Sequence, residues 1–289
     1  MIVGVHGIGN YPRARRQRST EAAADELSAR WAAALDEGLT AFTGHPATPG
    51  PRVRVAYYSY LLHRGTQQGE QDPGDLESGE QDLFTGWVDQ LIRASAAPVP
   101  QGSRTYRARA AGEWLAGHLG DEVLGFALTF AREVSTYLNN GQRRHAVREA
   151  VGRVILEARP RILIAHSLGS VVAYETLWRH PELEIDLLVT LGSPLAMPGV
   201  IFPRLEPTPV NGHGSRPPGV AAWANLADVG DIVAIPRSGL APFFDGVTRN
   251  EPAIHIDRKS FHRVEHYLRA RETAQVLAPY IAEGLRSPS

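Results

Sequence analysis

The chain lacks cysteine, has only one lysine and carries almost no net charge. Without cysteine among its 289 residues it forms no disulfide and no thiolate metal site, and a cytoplasmic location is the simplest expectation. The 30 basic and 31 acidic side chains leave a formal net charge of −1. Since no overall field attracts a polyanion, nucleic acid is not an expected partner.

Long apolar runs are also missing. No stretch reaches the roughly 20 apolar residues that a membrane-spanning helix needs, so no integral membrane segment is predicted. The apolar N-terminus, residues 1–5, is shorter than a signal-peptide core, and no basic segment precedes it. Whether a leader peptide was removed stays open, as does the oligomeric state.

Short apolar runs alternate with amphipathic segments along most of the chain. The runs at 2–5, 161–166 and 185–191 are continuously apolar, which is typical of parallel strands covered on both faces. The sequence therefore predicts the α/β class, with a mostly parallel sheet of about six strands and helices on both faces. Further strands are predicted at 52–62, 220–227 and 253–257, and helices at 19–39, 145–158, 168–179 and 264–285.

Residues 63–144 interrupt this alternation. Residues 63–82 are polar, glycine-rich and without periodicity, and residues 83–140 hold two or three helical stretches. We predict a single domain whose core is 1–62 and 145–289, with 63–144 inserted as a helical cap. The apolar residues of this insertion either line the cap or simply pack, and both interpretations stay open: Leu83, Phe84, Trp87, Leu91, Ile92, Phe126 and Phe130.

A candidate nucleophile lies between a predicted strand and a predicted helix. In the segment Ala165-His166-Ser167-Leu168-Gly169, small residues two before and two after the serine permit a sharp turn. Such a turn lifts the hydroxyl above the sheet and points the amide of Leu168 at the place where an oxyanion would form. The alternative is that Ser167 only caps the helix.

A second glycine-containing turn follows the first strand. Glycines on either side of Ile8, in the segment Val5-His6-Gly7-Ile8-Gly9, allow its amide to act as a second oxyanion donor. His6 is expected to make a structural hydrogen bond there. A tight turn without chemistry is the alternative.

Together these two segments resemble the α/β-hydrolase superfamily, and in particular its small serine esterases and lipases. The quoted motifs are VHGIG for the oxyanion loop and AHSLG for the nucleophile elbow, supported by GSP at 192–194 and the stretch 223–231. The resemblance covers about 1–60 and 145–289 and leaves out the insertion. One departure is that the family's first two strands have no counterpart, because the oxyanion strand begins at residue 2, so a minimal form of the fold is expected.

The resemblance implies a catalytic triad in the chain order nucleophile, acid, base. Asp231 is favoured as the acid because residues 231–236 resemble the stretch that carries it in the family, and Asp228 is the alternative. His266 is favoured as the base because it precedes an aromatic residue at the start of the C-terminal helix, and His262 is the alternative. His166 is too close to the serine in the chain to reach the acid.

The expected function is that of a serine hydrolase cleaving a carboxylic ester through an acyl-enzyme, with a small-molecule or acyl-ester substrate. A thioesterase, an acyltransferase or a cyclase would use the same triad, and a non-catalytic binding protein of this fold is the alternative from another class. No cofactor and no metal are expected, because the sequence contains no His-x-His, His-Glu-x-x-His or glycine-rich nucleotide-binding pattern.

Overall fold

A computed structural model describes residues 1–64, 72–256 and 262–284, with side chains up to residue 281. Part of the polar segment predicted at 63–82 therefore lies outside the described residues. The same is true of residue 257 at the end of the last predicted strand and of Leu285 at the end of the last predicted helix.

Six described strands form one sheet in which every neighbouring pair is parallel. Their order is β2-β1-β3-β4-β6-β8, and a separate pair joins β5 to β7. The predicted α/β class with a mostly parallel sheet of six strands is confirmed. The strands are β1 (Ile2–Val5), β2 (Val53–Ala56), β3 (Ile162–His166), β4 (Ile185–Leu191), β5 (Gly214–Ser215), β6 (Val220–Asp228), β7 (Phe244–Asp245) and β8 (Arg249–Ile254).

The helices lie before, between and after these strands. They are α1 (Tyr11–Gln17), α2 (Thr20–Thr43), α3 (Ser78–Ala94), α4 (Arg104–Leu119), α5 (Asp121–Asn139), α6 (Gly141–Ala158), α7 (Leu168–Arg179), α8 (Val264–Arg269) and α9 (Arg271–Gly284). α2 begins after Ser19, whose hydroxyl accepts a hydrogen bond from the amide of Ala22 at 3.1 Å and so caps the helix.

Helices pack on both faces of the sheet because its strands are apolar on both. On one face, Trp31 of α2, Tyr267 of α8 and Leu277 of α9 pack with alternate residues of the strands. On the other face α7 contacts β1 and β3, and its residues 168–177 are all buried. Burying both faces is what continuous apolar strands require.

Several predicted elements differ from the observed ones at their ends: α2 runs to Thr43 rather than to residue 39, and α6 begins at Gly141 rather than at residue 145. The strand predicted at 52–62 ends at Ala56, and a short 3-10 helix, Ser59–Leu61, follows. The last strand is Arg249–Ile254 rather than 253–257; it is a polar edge strand that contains Pro252. The C-terminal helix is divided at Ala270, whose ψ of 139° is extended.

The chain forms two compact units. The first comprises Met1–Gly7, Arg13–Tyr58 and Arg148–Ser289 and contains the central sheet. The second comprises Ile8–Pro12 and Ser59–Val147. The insertion predicted at 63–144 lies within the longer of these two ranges.

The second unit has its own apolar core, in which α3, α4 and α5 pack against one another. The rings of Trp87 and Phe130 lie 4.7 Å apart, and both side chains are fully buried. Leu83, Phe84 and Ile92 are buried as well. Packing within this unit accounts for these apolar residues, and a cap function for it stays a prediction.

Candidate active site

The order of the sheet strands marks the place where a site is expected. From β1 the chain places β2 on one side and β3 on the other, so the strand order reverses between β1 and β3. In open α/β sheets ligands bind beyond the carboxyl ends of the strands at such a switch point. His6 and Gly7 follow β1 there, and Ser167 follows β3.

Ser167 forms the sharp turn between β3 and α7. Its φ of 55° and ψ of −132° belong to a region that residues other than glycine rarely adopt. Such a conformation costs about 1–3 kcal/mol and persists only where the surroundings enforce it, which happens mostly at functional sites. The residue is fully buried, and its Oγ makes no hydrogen bond with any described residue.

Glycine at position 169 permits this turn to lie close to β1. A Cβ on Gly169 would lie 2.3 Å from the carbonyl oxygen of Val5, so any larger residue would push the strand and the turn apart. A Cβ on Gly7 would lie 2.6 Å from Cβ of Ser167. The loop after β1 and the candidate nucleophile are therefore in direct contact.

The two predicted oxyanion donors are placed differently by the structure. Leu168 is the first residue of α7, where an amide has no partner within the helix and the helix dipole favours negative charge. Its amide directly follows Ser167 in the chain. Ile8 begins the short segment that belongs to the second unit, and its role as an oxyanion donor stays a prediction.

Asp231 lies in the loop after β6, and three hydrogen bonds fix its carboxylate. Oδ1 accepts from the amide of Val233 at 2.9 Å. Oδ2 accepts from Nδ1 of His262 and from the hydroxyl of Tyr267, each at 2.7 Å. The carboxylate is almost fully buried, so each of these bonds is made away from bulk water.

The imidazole that the structure brings to Asp231 is that of His262, the alternative that the sequence leaves open, and not that of His266. His266, which the sequence favours, lies within α8 and is half-buried, and its amide donates to the carbonyl of Arg263. His262 precedes that helix and is buried. Because a carboxylate can only accept, Nδ1 of His262 carries the proton of this hydrogen bond.

Asp228, the alternative acid, has its carboxylate engaged with backbone amides. Oδ1 accepts from Gly230 and Oδ2 from Ile256, each at 2.8 Å. These contacts tie the end of β6 to the following loop and to the end of β8. Asp228 thus shapes the loop that carries Asp231.

The end of β4 contacts Ser167 on the one hand and Asp231 and His262 on the other. The amide of Ser167 donates to the carbonyl of Leu191 at 3.1 Å, and Gly192 follows. A Cβ on Gly192, whose φ is 54°, would lie 2.6 Å from Oδ2 of Asp231 and 3.2 Å from Nδ1 of His262. Only glycine fits this position, which brings Asp231 and His262 against the residue that follows the hydrogen-bond partner of Ser167.

His166 is packed beside this group. Its ring centre lies 4.6 Å from that of His262. Burial holds the pKa of His166 well below its ordinary value, and the nearby imidazole of His262 lowers it further, against a hydrogen bond to the His262 backbone. His166 is therefore neutral at neutral pH and adds no second positive charge to the site.

Both ring nitrogens of His6 take part in hydrogen bonds that hold the loop after β1, one as donor and one as acceptor. Nδ1 donates to the carbonyl of Gly7 at 2.7 Å, and Nε2 accepts from the amide of Tyr58 at 3.2 Å. Burial lowers the pKa of His6 to about 4, so the ring is neutral, as one donor and one acceptor require. Its contacts are structural.

The sequence does not predict the contact between Tyr267 and Asp231. It places an aromatic residue directly after His266 but assigns no role to the hydroxyl of that residue. The available signal was that a tyrosine on the buried side of a helix needs a hydrogen-bond partner for its hydroxyl. The order of residues along the chain does not show which carboxylate would be the partner of that hydroxyl.

Three further properties of the chain concern a metal site, a membrane-spanning helix and similarity to known proteins. Among residues 1–64, 72–256 and 262–284 no group of three or more His, Asp or Glu side chains is placed to hold a metal ion. None of the helices described is both long and apolar enough to cross a bilayer. No family model, curated protein or solved structure matches this chain.

Proposed function

We propose that this protein is a serine hydrolase that cleaves a carboxylic ester through an acyl-enzyme. Ser167 is the nucleophile, His262 the general base and Asp231 the acid that orients it. The observation that carries the proposal is the 2.7 Å bond from His262 Nδ1 to Asp231 Oδ2 beside the strained turn of Ser167. The resemblance of AHSLG and VHGIG to the α/β-hydrolase motifs supports the same conclusion.

Acylation begins when Ser167 Oγ attacks the carbonyl carbon of the ester. Nε2 of His262 takes the hydroxyl proton, and the imidazolium that forms is stabilised by Asp231, which does not itself take the proton. The tetrahedral intermediate then expels the alcohol, which receives its proton from His262. The acyl group remains bonded to Ser167.

Deacylation repeats these steps with water. His262 removes a proton from the water, which attacks the acyl carbon, and the second tetrahedral intermediate releases the carboxylic acid as Ser167 regains its proton. The charge on both intermediates is held by the amide of Leu168 at the start of α7, with Ile8 proposed from the sequence as the second donor. Each such donor lowers the barrier by about 3–4 kcal/mol.

The burial of Ser167 supports a reactive hydroxyl rather than a helix cap. Its side chain makes no capping hydrogen bond to α7, and its conformation is costly, which a mere cap would not explain. In a water-poor environment the polar groups around it act more strongly on a developing charge.

The test compares the wild type with Ser167→Ala, using Ser59→Ala as the matched control. Ser59 is equally buried, and its Oγ likewise has no hydrogen-bond partner among the described residues. A fluorophosphonate probe should label the wild type and Ser59→Ala but spare Ser167→Ala. Turnover of a p-nitrophenyl ester should fall by roughly 10⁴–10⁶-fold only in Ser167→Ala, with little change in melting temperature.

Equal labelling of the wild type and Ser167→Ala would refute the nucleophile. A panel of p-nitrophenyl esters, thioesters and amides fixes the acyl class. Ester turnover is the expected result, and turnover restricted to thioesters or to acyl transfer would contradict the ester proposal while leaving the triad in place. Absence of any labelling or turnover would favour a binding protein.

A further inference from the structure

The hydroxyl of Tyr267 lies between the two aspartates of the site. Its oxygen is 2.9 Å from the amide nitrogen of Asp228 and 2.7 Å from Oδ2 of Asp231. An amide can only donate, so the phenol oxygen accepts from Asp228 and must use its own proton to bond Asp231. The direction of both hydrogen bonds is thereby fixed.

Tyr267 and His262 donate to the same carboxylate oxygen from one short segment of chain. The side chain of Tyr267 is fully buried in α8, and its carbonyl accepts from the hydroxyl of Thr273 at 2.6 Å. Burial and the charge of Asp231 raise the pKa of Tyr267 well above 10, so the phenol keeps its proton. A donor that is fully packed and always protonated is suited to hold a carboxylate in one orientation.

We propose that Tyr267 is a positioning residue for the acid and base of this site. Resting on the function proposed above, the inference is that its hydroxyl holds Asp231 in line with His262 and draws charge from the oxygen that His262 binds. Tyr267 touches neither substrate nor Ser167 in this role. It acts through Asp231 on the basicity and direction of the imidazole.

The sign of the effect on His262 follows from the shared oxygen. Removing the hydroxyl returns charge to Oδ2, which stabilises the imidazolium and raises the pKa of His262. Because only the neutral imidazole serves as base, the acid limb of kcat/KM then moves to higher pH. The titratable side chains of His166 and Asp228 also lie near this pair, and Tyr267→Phe keeps both while it removes the acceptor of the Asp228 amide.

Tyr267→Phe removes the hydroxyl and keeps the ring. We expect kcat to fall about tenfold with little change in KM, as for loss of one hydrogen bond to a charged group. The midpoint of the acid limb should rise by about half a pH unit. Tyr174→Phe is the control, because Tyr174 is also buried but packs in α7 against Trp223 and Phe244; its pH profile should match the wild type.

A ring-fluorinated tyrosine at position 267 gives the opposite change and covers the case in which Tyr267→Phe does not fold. Fluorination makes the phenol a stronger donor without removing either hydrogen bond, so the acid limb should move to lower pH. A merely structural role would lower the melting temperature of Tyr267→Phe and move neither midpoint. Unchanged midpoints in both variants would overturn the proposal.

The pKa of His262 can also be measured without turnover, by following its ring resonances in an NMR pH titration. A rise in Tyr267→Phe, or a fall with the fluorinated residue, supports the positioning role even if no ester is cleaved, in which case only the proposed function fails. A normal ester hydrolase whose His262 pKa is the same in all three proteins refutes the positioning role alone.

Discussion

Two histidines four residues apart differ in their contact with the acid, and this difference can be tested directly. His262 donates to Asp231 at 2.7 Å, whereas His266 is half-buried within α8. His262→Ala should lower kcat by about 10⁴-fold or more, since the members of a triad act as a unit. His266→Ala should stay within about threefold of the wild type in the same ester assay, as expected for a residue outside the triad.

The reverse pattern, with His266→Ala inactive and His262→Ala active, would contradict the triad proposed above. Both variants should retain the helical circular dichroism of the wild type. Equal losses in the two variants, together with lowered melting temperatures, would show that this segment matters for folding rather than for proton transfer.

The sequence offers clearer grounds for the candidate serine and the candidate acid than for the candidate base. Ser167 could be found because a strand, a turn with small flanking residues and a helix occur in immediate succession. Which histidine would serve as the base depends on how the segment before α8 approaches Asp231, and the sequence of that segment shows little periodicity. His262 stands just before α8, and the sequence contains no local rule that separates its position from that of His266.

At the level of elements, the β3–α7 turn depends on the absence of a side chain at position 169. A Cβ there would lie 2.3 Å from the carbonyl of Val5 and 2.4 Å from that of His6, both backbone atoms that cannot easily move. Gly169→Ala should therefore lower the free energy of unfolding by about 2–3 kcal/mol, as overpacking does. Esterase activity should fall as well, because the turn carries Ser167.

Gly117→Ala provides the comparison for this substitution. Gly117 lies in α4, is exposed and has no atom within 4 Å of a Cβ. Alanine there should raise the free energy of unfolding by about 0.5–1 kcal/mol through its helix propensity. Urea unfolding measures the free energy of unfolding of both variants. A Gly169→Ala variant as stable as Gly117→Ala would show that the turn is not tightly packed.

The elements that sequence patterns predicted well are those buried on both sides. The sequence predicts the bounds of α7 at 168–179 and of β4 at 185–191 to the residue, and most residues of both elements are apolar and buried. β2 and β8 form the two edges of the sheet, where half the surroundings of a strand are missing. Their ends depend on tertiary contacts, so alternation alone predicted them poorly.

At the scale of the whole molecule, a near-zero net charge conceals two buried groups whose pKa values move in opposite directions. Burial lowers the pKa of His6 from 6.5 to about 4, and it raises that of Glu133 from 4.5 to about 7, despite a hydrogen bond from the amide of Gly9. Both shifts favour the neutral form of the group, since a charged form would be costly to bury.

These two shifts give the stability of the protein opposite dependences on pH. The unfolded chain binds the extra proton at His6, so this contribution to stability is present above pH 6.5 and is lost as the pH falls through 4. The folded chain binds the extra proton at Glu133, so that contribution is present below pH 4.5 and is lost as the pH rises through 7. Between pH 4.5 and 6.5 the two slopes oppose each other.

Glu133→Gln should separate the two contributions, because glutamine keeps an oxygen that can accept from Gly9 and cannot ionise. Its free energy of unfolding should equal that of the wild type within error below pH 4.5 and exceed it increasingly up to pH 7. From the size of the shift, the difference at pH 8 is expected to be about 3 kcal/mol. Urea unfolding followed by circular dichroism over this pH range measures it, with Glu113→Gln, an exposed position of α4, as the control for simple loss of a surface charge.

A difference that does not change with pH would mean that burial does not raise the pKa of Glu133. A difference from the wild type that rises with pH in Glu133→Gln but not in Glu113→Gln would show that the buried carboxyl group of Glu133 lowers the free energy of unfolding at neutral pH.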